Sequence, residues 1–171
     1  SGNALTPAIM STKDMGADPT RIAVLLYASS GICAENQALE AELDYLRASK
    51  AGRVSEAQDA RIQQKRWAAI AAQRQYAGYQ LLEKRWATKY NKALGEGCPK
   101  MKSDLDQTVY LMGMISGLQA MTNDINSGGA VHVPKDIAAI VERGMVCLDN
   151  AKFWGSGTCR HLDLVAGRRR W

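Results

Sequence analysis

Phenylalanine occurs once in the 171 residues, at Phe153, and histidine twice, at His132 and His161. Two isolated histidines are a poor supply of general bases or metal ligands. The H-E-x-x-H helix, the glycine-rich phosphate loop, the nucleophile elbow and the C-x-x-C-H haem attachment pattern are all missing. An enzyme is therefore the least supported class, and no catalytic residue, metal or cofactor is expected. No run of about 18 apolar residues exists, so no membrane-spanning helix is expected either. Long β-branched runs are lacking too, while Ala, Leu, Gln, Glu, Lys and Arg fill the middle of the chain. These residues lose least on entering a helix, so the fold class is all-α.

The net charge of +5 does not make a strongly basic body, because Arg168, Arg169 and Arg170 supply three of those charges at the C-terminus. Methionine is more plentiful, at seven positions. Thioether sulfur is a soft copper ligand, but Met112 and Met114 point to opposite sides of a helix. Met114 and Met121 share a face with Tyr110 and Ile125, the pattern of core filler.

The four cysteines, Cys33, Cys98, Cys147 and Cys159, are separated by 65, 49 and 12 residues. Metal and redox motifs cluster their thiols, whereas an even number of scattered cysteines favours two long-range disulfides and an oxidising compartment, periplasmic or secreted. The competing reading is four buried free thiols in a cytosolic bundle. Ser1-Gly2-Asn3-Ala4 has the look of a remnant of tag removal, so a missing leader does not argue for the cytoplasm.

Residues 1–17 read as a leading arm. Asp18-Pro19 is a strong helix start, with an N-cap followed by proline at the first helical position. Ile22, Leu25, Leu26, Ile32, Leu39, Leu43 and Leu46 then recur at three- and four-residue steps to about residue 51, predicting one apolar stripe. Ser29-Ser30-Gly31 is expected to loosen this helix and Gly52 to end it. Ser55 with Gln58 matches a capping box. No proline interrupts the second helix to about Leu94, and Ile62, Ala69, Ala72, Tyr76, Tyr79, Leu82, Trp86 and Tyr90 lie near one face. The two helices form an antiparallel hairpin whose tip, around residues 47–66, projects into solvent.

After the Gly95-Glu96-Gly97-Cys98-Pro99 break, Ser103 caps a third helix carrying Leu105, Val109, Met112, Leu118, Met121 and Ile125. Its small residues Gly113, Ser116, Gly117 and Ala120 allow a neighbour to approach closely. Val131-His132-Val133 is an extended connector, and Pro134 opens a fourth helix to about residue 151. The whole is one domain: an antiparallel bundle of four main helices with a projecting hairpin, stapled by disulfides, ending in an irregular basic tail over 156–171. Antiparallel third and fourth helices would bring Cys98 to Cys147. By elimination Cys33 would meet Cys159, although four cysteines allow three pairings.

Trp67, Tyr76, Tyr79, Trp86 and Tyr90 are the candidate binding residues, together with the hairpin tip. The second helix also repeats Lys65-Arg66-Trp67 as Lys84-Arg85-Trp86, and cations among aromatics can hold a nucleic-acid strand. The repeats are 19 residues apart, which turns one against the other by roughly 100° and breaks any continuous stripe. Glu35 stands in the apolar half of the first helix and is expected to pair with an arginine of the second.

Cys98-Pro99, Tyr110-Leu111-Met112-Gly113, Gly117-Leu118-Gln119-Ala120, Asp124, Ser127-Gly128-Gly129, Val133-Pro134-Lys135-Asp136 and Cys147-Leu148-Asp149 carry a resemblance over about residues 70–155. In them the chain resembles the helical periplasmic proteins associated with TRAP-type solute transporters, the TatT group. The resemblance implies a helical accessory protein that contacts a solute-binding protein and a hydrophobic ligand.

The expected function is that of a non-enzymatic, exported helical binding or accessory protein. Its partner would be another protein, such as a solute-binding protein or its own copy, or it would carry a small apolar ligand. The second reading is a nucleic-acid or polyanion binder using Lys65, Arg66, Arg74, Lys84, Arg85 and the terminal arginines.

Overall fold

The computed structural model describes residues 18–148, and these are all-helical in their regular elements: α1 (Pro19–Lys50), α2 (Val54–Tyr90), α3 (Asp104–Asn126) and α4 (Ile137–Met145). The leading arm, the basic tail, Cys159, His161 and the expected Cys33–Cys159 bridge lie outside the described residues.

Asp18 starts α1 as its sequence predicts: the carboxylate accepts from the Thr20 N–H at 3.1 Å and Pro19 occupies the first turn. Ser103 likewise caps α3, its hydroxyl accepting from the Asp106 N–H at 3.1 Å. The Ser55 capping box does not form. α2 begins one residue earlier, at Val54, on Arg53, which makes no side-chain cap. It stops at Tyr90 rather than Leu94, because Asn91 turns left-handed at φ 52°. Asn is one of the few side chains that tolerate this conformation. α4 is shorter at both ends than the span from residue 134 to 151.

α1 and α2 pack along most of their lengths, α3 lies on the pair and leans mainly on α2, and α4 covers α3. The face that α1 turns to α2 is not the leucine stripe. It is Ala28, Gly31, Ala34, Ala38, Ala41 and Ala48, all buried, against buried Ala57, Ala68, Ala71, Ala72 and Gly78 of α2. Two small-residue faces let the backbones approach, and that dispersion gain over a long seam outweighs burying a few larger leucines. Ser29-Ser30-Gly31 does not interrupt α1. Gly31 instead makes room for Gln75, whose Cγ would collide with any Cβ there.

The main core lies lower, where α3 and α4 join the hairpin: Val24, Leu25, Tyr79, Leu82, Trp86, Val109, Tyr110, Met114, Leu118, Ile137, Val141 and Met145. The small residues of α3 serve close approach, as the sequence predicts. A Cβ on Gly113 would lie 2.6 Å from Leu82 Cδ2 and 2.9 Å from its Cβ, and one on Gly117 would lie 2.5 Å from the Tyr79 ring. Because the obstacle at Gly113 includes the Leu82 Cβ itself, rotamer change alone cannot clear it. Gly113→Ala is expected to destabilise by about 1–3 kcal/mol in urea denaturation, offset in part by the helix propensity of alanine. A neutral effect would show that α3 can slide on α2.

One disulfide joins Cys98, in the α2–α3 connector, to Cys147 after α4, as predicted from their antiparallel packing. Cys98 is exposed and so is Cys33 on α1, so the alternative of buried thiols does not describe them. Among the described residues no helix is long and apolar enough to cross a membrane.

Candidate functional site

The candidate aromatic residues do not make one surface. Tyr79 and Trp86 are 2% and 3% exposed, so they are core residues rather than binding residues. Trp86 packs its ring 4.6 Å from that of Tyr110 and 4.5 Å from that of Tyr90. Tyr76 leans on Tyr79 with centroids 6.4 Å apart, and Tyr76, Tyr90 and Trp67 are half-buried. The physical reason is the arrival of α3: an aromatic face on α2 is the largest apolar area available to cover it. Burial pushes the Tyr79 phenol above its ordinary pKa, and pushes Tyr110 up to about 12. The Tyr110 hydroxyl donates to the Gly144 carbonyl at 2.6 Å, fixing α4 to α3.

The candidate cations divide in the same way. Arg74 donates to the Ser30 carbonyl at 3.2 Å. Arg85 is 11% exposed and clamped between Asp18 and Asp106, the latter at 3.1 Å. Lys65, Arg66 and Lys84 remain exposed. A polyanion lane needs its cations free and aligned, and the structure engages two of the five in the body of the fold.

What the molecule does expose is apolar surface on the hairpin. Leu39, Leu43 and Leu46 of α1 are 58%, 44% and 52% exposed, and Val54 and Ile62 of α2 are 68% and 49% exposed. At roughly 100° per residue the three leucines fall within about 60° of one another, a single stripe. The sequence identified this stripe as the apolar face of the first helix, and the structure leaves its upper part exposed. Lower on α1, Leu25 is buried under the bundle. The upper leucines lie past the end of α3, where no described element covers them.

α3 ends beside the seam. The Asn126 carbonyl accepts from Gln64 at 3.5 Å, and Asn123 donates to the Gln75 amide oxygen at 2.8 Å. Gln75 in turn donates to Glu35 at 3.0 Å, and Gln119 reaches the same carboxylate oxygen at 3.5 Å. Glu35 therefore pairs with two amides, not with an arginine. This polar layer closes the space between α1, α2 and α3.

Above it the hairpin is grooved. A cavity of about 590 Å³ is lined by Glu35, Ala38, Leu39, Glu42, Arg61, Lys65, Asn123 and Asn126. A second, of about 670 Å³, is lined by Tyr45, Ser49, Val54, Ala57, Arg61 and Ile62, and it runs to the turn at Gly52. Arg61 belongs to both, so they adjoin. Its guanidinium binds Glu42 at 2.6 and 3.3 Å and lies 3.7 Å over the Tyr45 ring. Arg61, and then Ser49, hold the Tyr45 phenol below its ordinary pKa. Together the two cavities carry a groove from the end of α3 to the hairpin tip, mainly polar beside α3 and more apolar at Val54, Ala57 and Ile62, with the Arg61–Glu42 pair where they adjoin. Among the described residues no cluster of three or more potential metal-ligating His, Cys, Asp or Glu side chains occurs.

Sequence reasoning named Asp124 but missed its role. Its buried carboxylate accepts from the Val131 and Val133 N–H groups at 2.8 and 2.9 Å and so folds the connector back on α3. The signal available was an acid at a helix end followed by Ser-Gly-Gly. In comparison with known proteins, the chain matches no protein-family model, no curated protein and no solved structure at a significant level.

Proposed function

We propose that this protein is a non-catalytic, exported binding or scaffold protein that receives an amphipathic helix of a partner chain on the α1/α2 arm. The carrying observation is the groove between the end of α3 and Gly52. Below Asn126 the face of the hairpin is filled by α3; above it the same hairpin presents Leu39, Leu43, Leu46, Val54 and Ile62 to solvent. An apolar helix face laid in a groove is a standard mode of protein recognition, and contiguous exposed apolar surface marks such sites. The bridge between Cys98 and Cys147 supports an oxidising compartment, periplasmic or secreted. The resemblance to TRAP-associated proteins supplies one identity for the partner, a solute-binding protein. A small apolar ligand in the same groove would use the Tyr45, Val54 and Ile62 end.

A photo-crosslinking side chain placed at Leu39 or Ile62, which line the groove, is expected in the producing cell to give a discrete protein adduct. The attached peptide should map to a helix with apolar residues at three- and four-residue spacing. The same probe at exposed Gln80 of α2, which does not line the groove, should give none. Equal labelling from all three positions, or no protein adduct from the arm, would overturn the reading.

A further inference from the structure

We infer that the arm docks on a second copy of this chain, forming an antiparallel pair in which the leucine stripe of each α1 packs on that of the other. This rests on the reading of the arm as a docking surface and names its partner.

The argument comes from how charge is distributed along α1. Between Arg21 and Arg47 the chain contains no lysine or arginine, while Glu35, Glu40, Glu42 and Asp44 fall in that stretch. Arg47 and Lys50 then follow within the same helix, at its last turn. The stripe of Leu39, Leu43 and Leu46 straddles this change of sign. Glu40 and Arg47 are seven residues apart, which at roughly 100° per residue puts them on the same flank of the stripe.

Two such helices have one favourable sense. Side by side and parallel, a two-fold pair brings opposite flanks together, which sets Glu40 against the Glu42 flank of the second copy, where like charges repel, and leaves Arg47 level with Ser49. Antiparallel, with Leu39 of one copy level with Leu46 of the other, the two Leu43 side chains meet beside the two-fold axis. Arg47 then comes level with residue 38 of the second copy, one turn or less from Glu40 on the same flank. Every interaction is made twice, as a two-fold interface requires.

Arg47 is available for this contact. Its bond to Asp44, at 3.2 Å, joins two side chains that are 67% and 64% exposed, the kind of surface pair that contributes little and is readily exchanged. The antiparallel sense also sends the two bases, with α3, α4 and the disulfide, to opposite ends of the pair. The apolar stripe flanked by matched charge is the arrangement by which antiparallel helices select partner and orientation.

Sedimentation velocity on the full chain is expected to show a species of twice the 18.7 kDa monomer mass as concentration rises into the micromolar range. Leu43→Glu should weaken the dimer by about tenfold or more, with an unchanged circular dichroism spectrum because the side chain is exposed. Arg47→Glu should weaken it less, and the double variant Arg47→Glu with Glu40→Arg should restore association toward that of the unaltered protein. Only the antiparallel register predicts that rescue. A chain that stays monomeric up to about 100 micromolar, or a dimer indifferent to Leu43→Glu, would overturn the inference. If the protein is monomeric but probes at Leu39 and Ile62 still crosslink to a different protein, the docking reading stands and the second copy is excluded. If neither is seen, both fall.

Discussion

Reducing the disulfide between Cys98 and Cys147 is expected to lower stability by about 4 kcal/mol, the loop-closure value for a crosslink spanning 49 residues. The loss should also be uneven. α4 has nine residues, too few to hold as an isolated helix, so it depends on its contacts with α3 and on the staple that follows it. Those contacts are Ile137, Val141 and Met145 in the core and the Tyr110 hydroxyl on the Gly144 carbonyl. The α1/α2 seam lies outside the closed loop and does not need the bridge. Hydrogen exchange on the Cys98→Ser, Cys147→Ser variant should therefore show α4 amides losing protection first, with the amides of the α1/α2 seam retaining theirs. Denaturation gives the total. A loss under about 1 kcal/mol, or one spread evenly over the four helices, would mean that α4 is held by packing alone.

The fold was legible because helices announce themselves locally. Asp18-Pro19 and Ser103 are boundary signals that work through a few neighbouring backbone groups, and the structure uses both, while the Gly95–Pro99 break falls in the connector after Asn91 has ended α2. The Cys98–Cys147 bridge followed from topology, since antiparallel neighbours fix which ends meet. Boundaries failed where a tertiary choice intervened. Ser55 could cap only a helix that begins after it, and α2 starts at Val54.

The face assignment failed for a different reason. Hydrophobic periodicity ranks leucine above alanine, so it read Leu39, Leu43 and Leu46 as the apolar stripe of the first helix and named none of that helix's alanines. Yet an alanine face and a leucine face occur together on α1, and nothing in one helix says which meets the neighbour. Only the opposite row of Ala57, Ala68, Ala71, Ala72 and Gly78 decides it. The aromatic candidates failed by the same logic: Tyr79 and Trp86 are large apolar groups, and they went to the core that α3 completes. The surface left exposed is thus the apolar stripe that the seam did not need.

Charge pairs were the least legible part, because an ion pair between helices leaves no periodic trace. The strongest joins three helices. Asp106, in the first turn of α3, meets Arg85 of α2 at 3.1 Å, Lys89 of α2 at 3.5 Å and Arg21 of α1 at 3.7 Å. Asp18 binds both arginines from the start of α1. In the sequence Arg85 suggested a phosphate ligand and Asp106 only a residue near a helix start.

Asp106→Asn keeps the size of the side chain and removes its charge. It would leave Arg85 and Arg21, 11% and 19% exposed, sharing the single carboxylate of Asp18. Breaking one side of a nearly buried ionic cluster costs more than the intact cluster contributes, and a loss of about 3 kcal/mol at neutral pH is expected. The pH dependence separates this from a packing effect. Burial alone would raise the pKa of Asp106, but Lys89, Arg21 and Arg85, with the Ser103 hydroxyl, outweigh it and hold the carboxyl below its ordinary range. A carboxyl with a depressed folded-state pKa binds fewer protons in the folded than in the unfolded chain. Its stabilisation is complete above the unfolded value of about 3.9 and is lost as the pH falls through the lower folded value. Thermal unfolding between about pH 7 and pH 2 should show the two proteins far apart at neutral pH and converging below about pH 4, where the natural carboxylate is also being neutralised. A gap that stays constant down to the lowest pH would assign the loss to shape and hydrogen bonding, and would remove Asp106 as the electrostatic clasp of α1, α2 and α3.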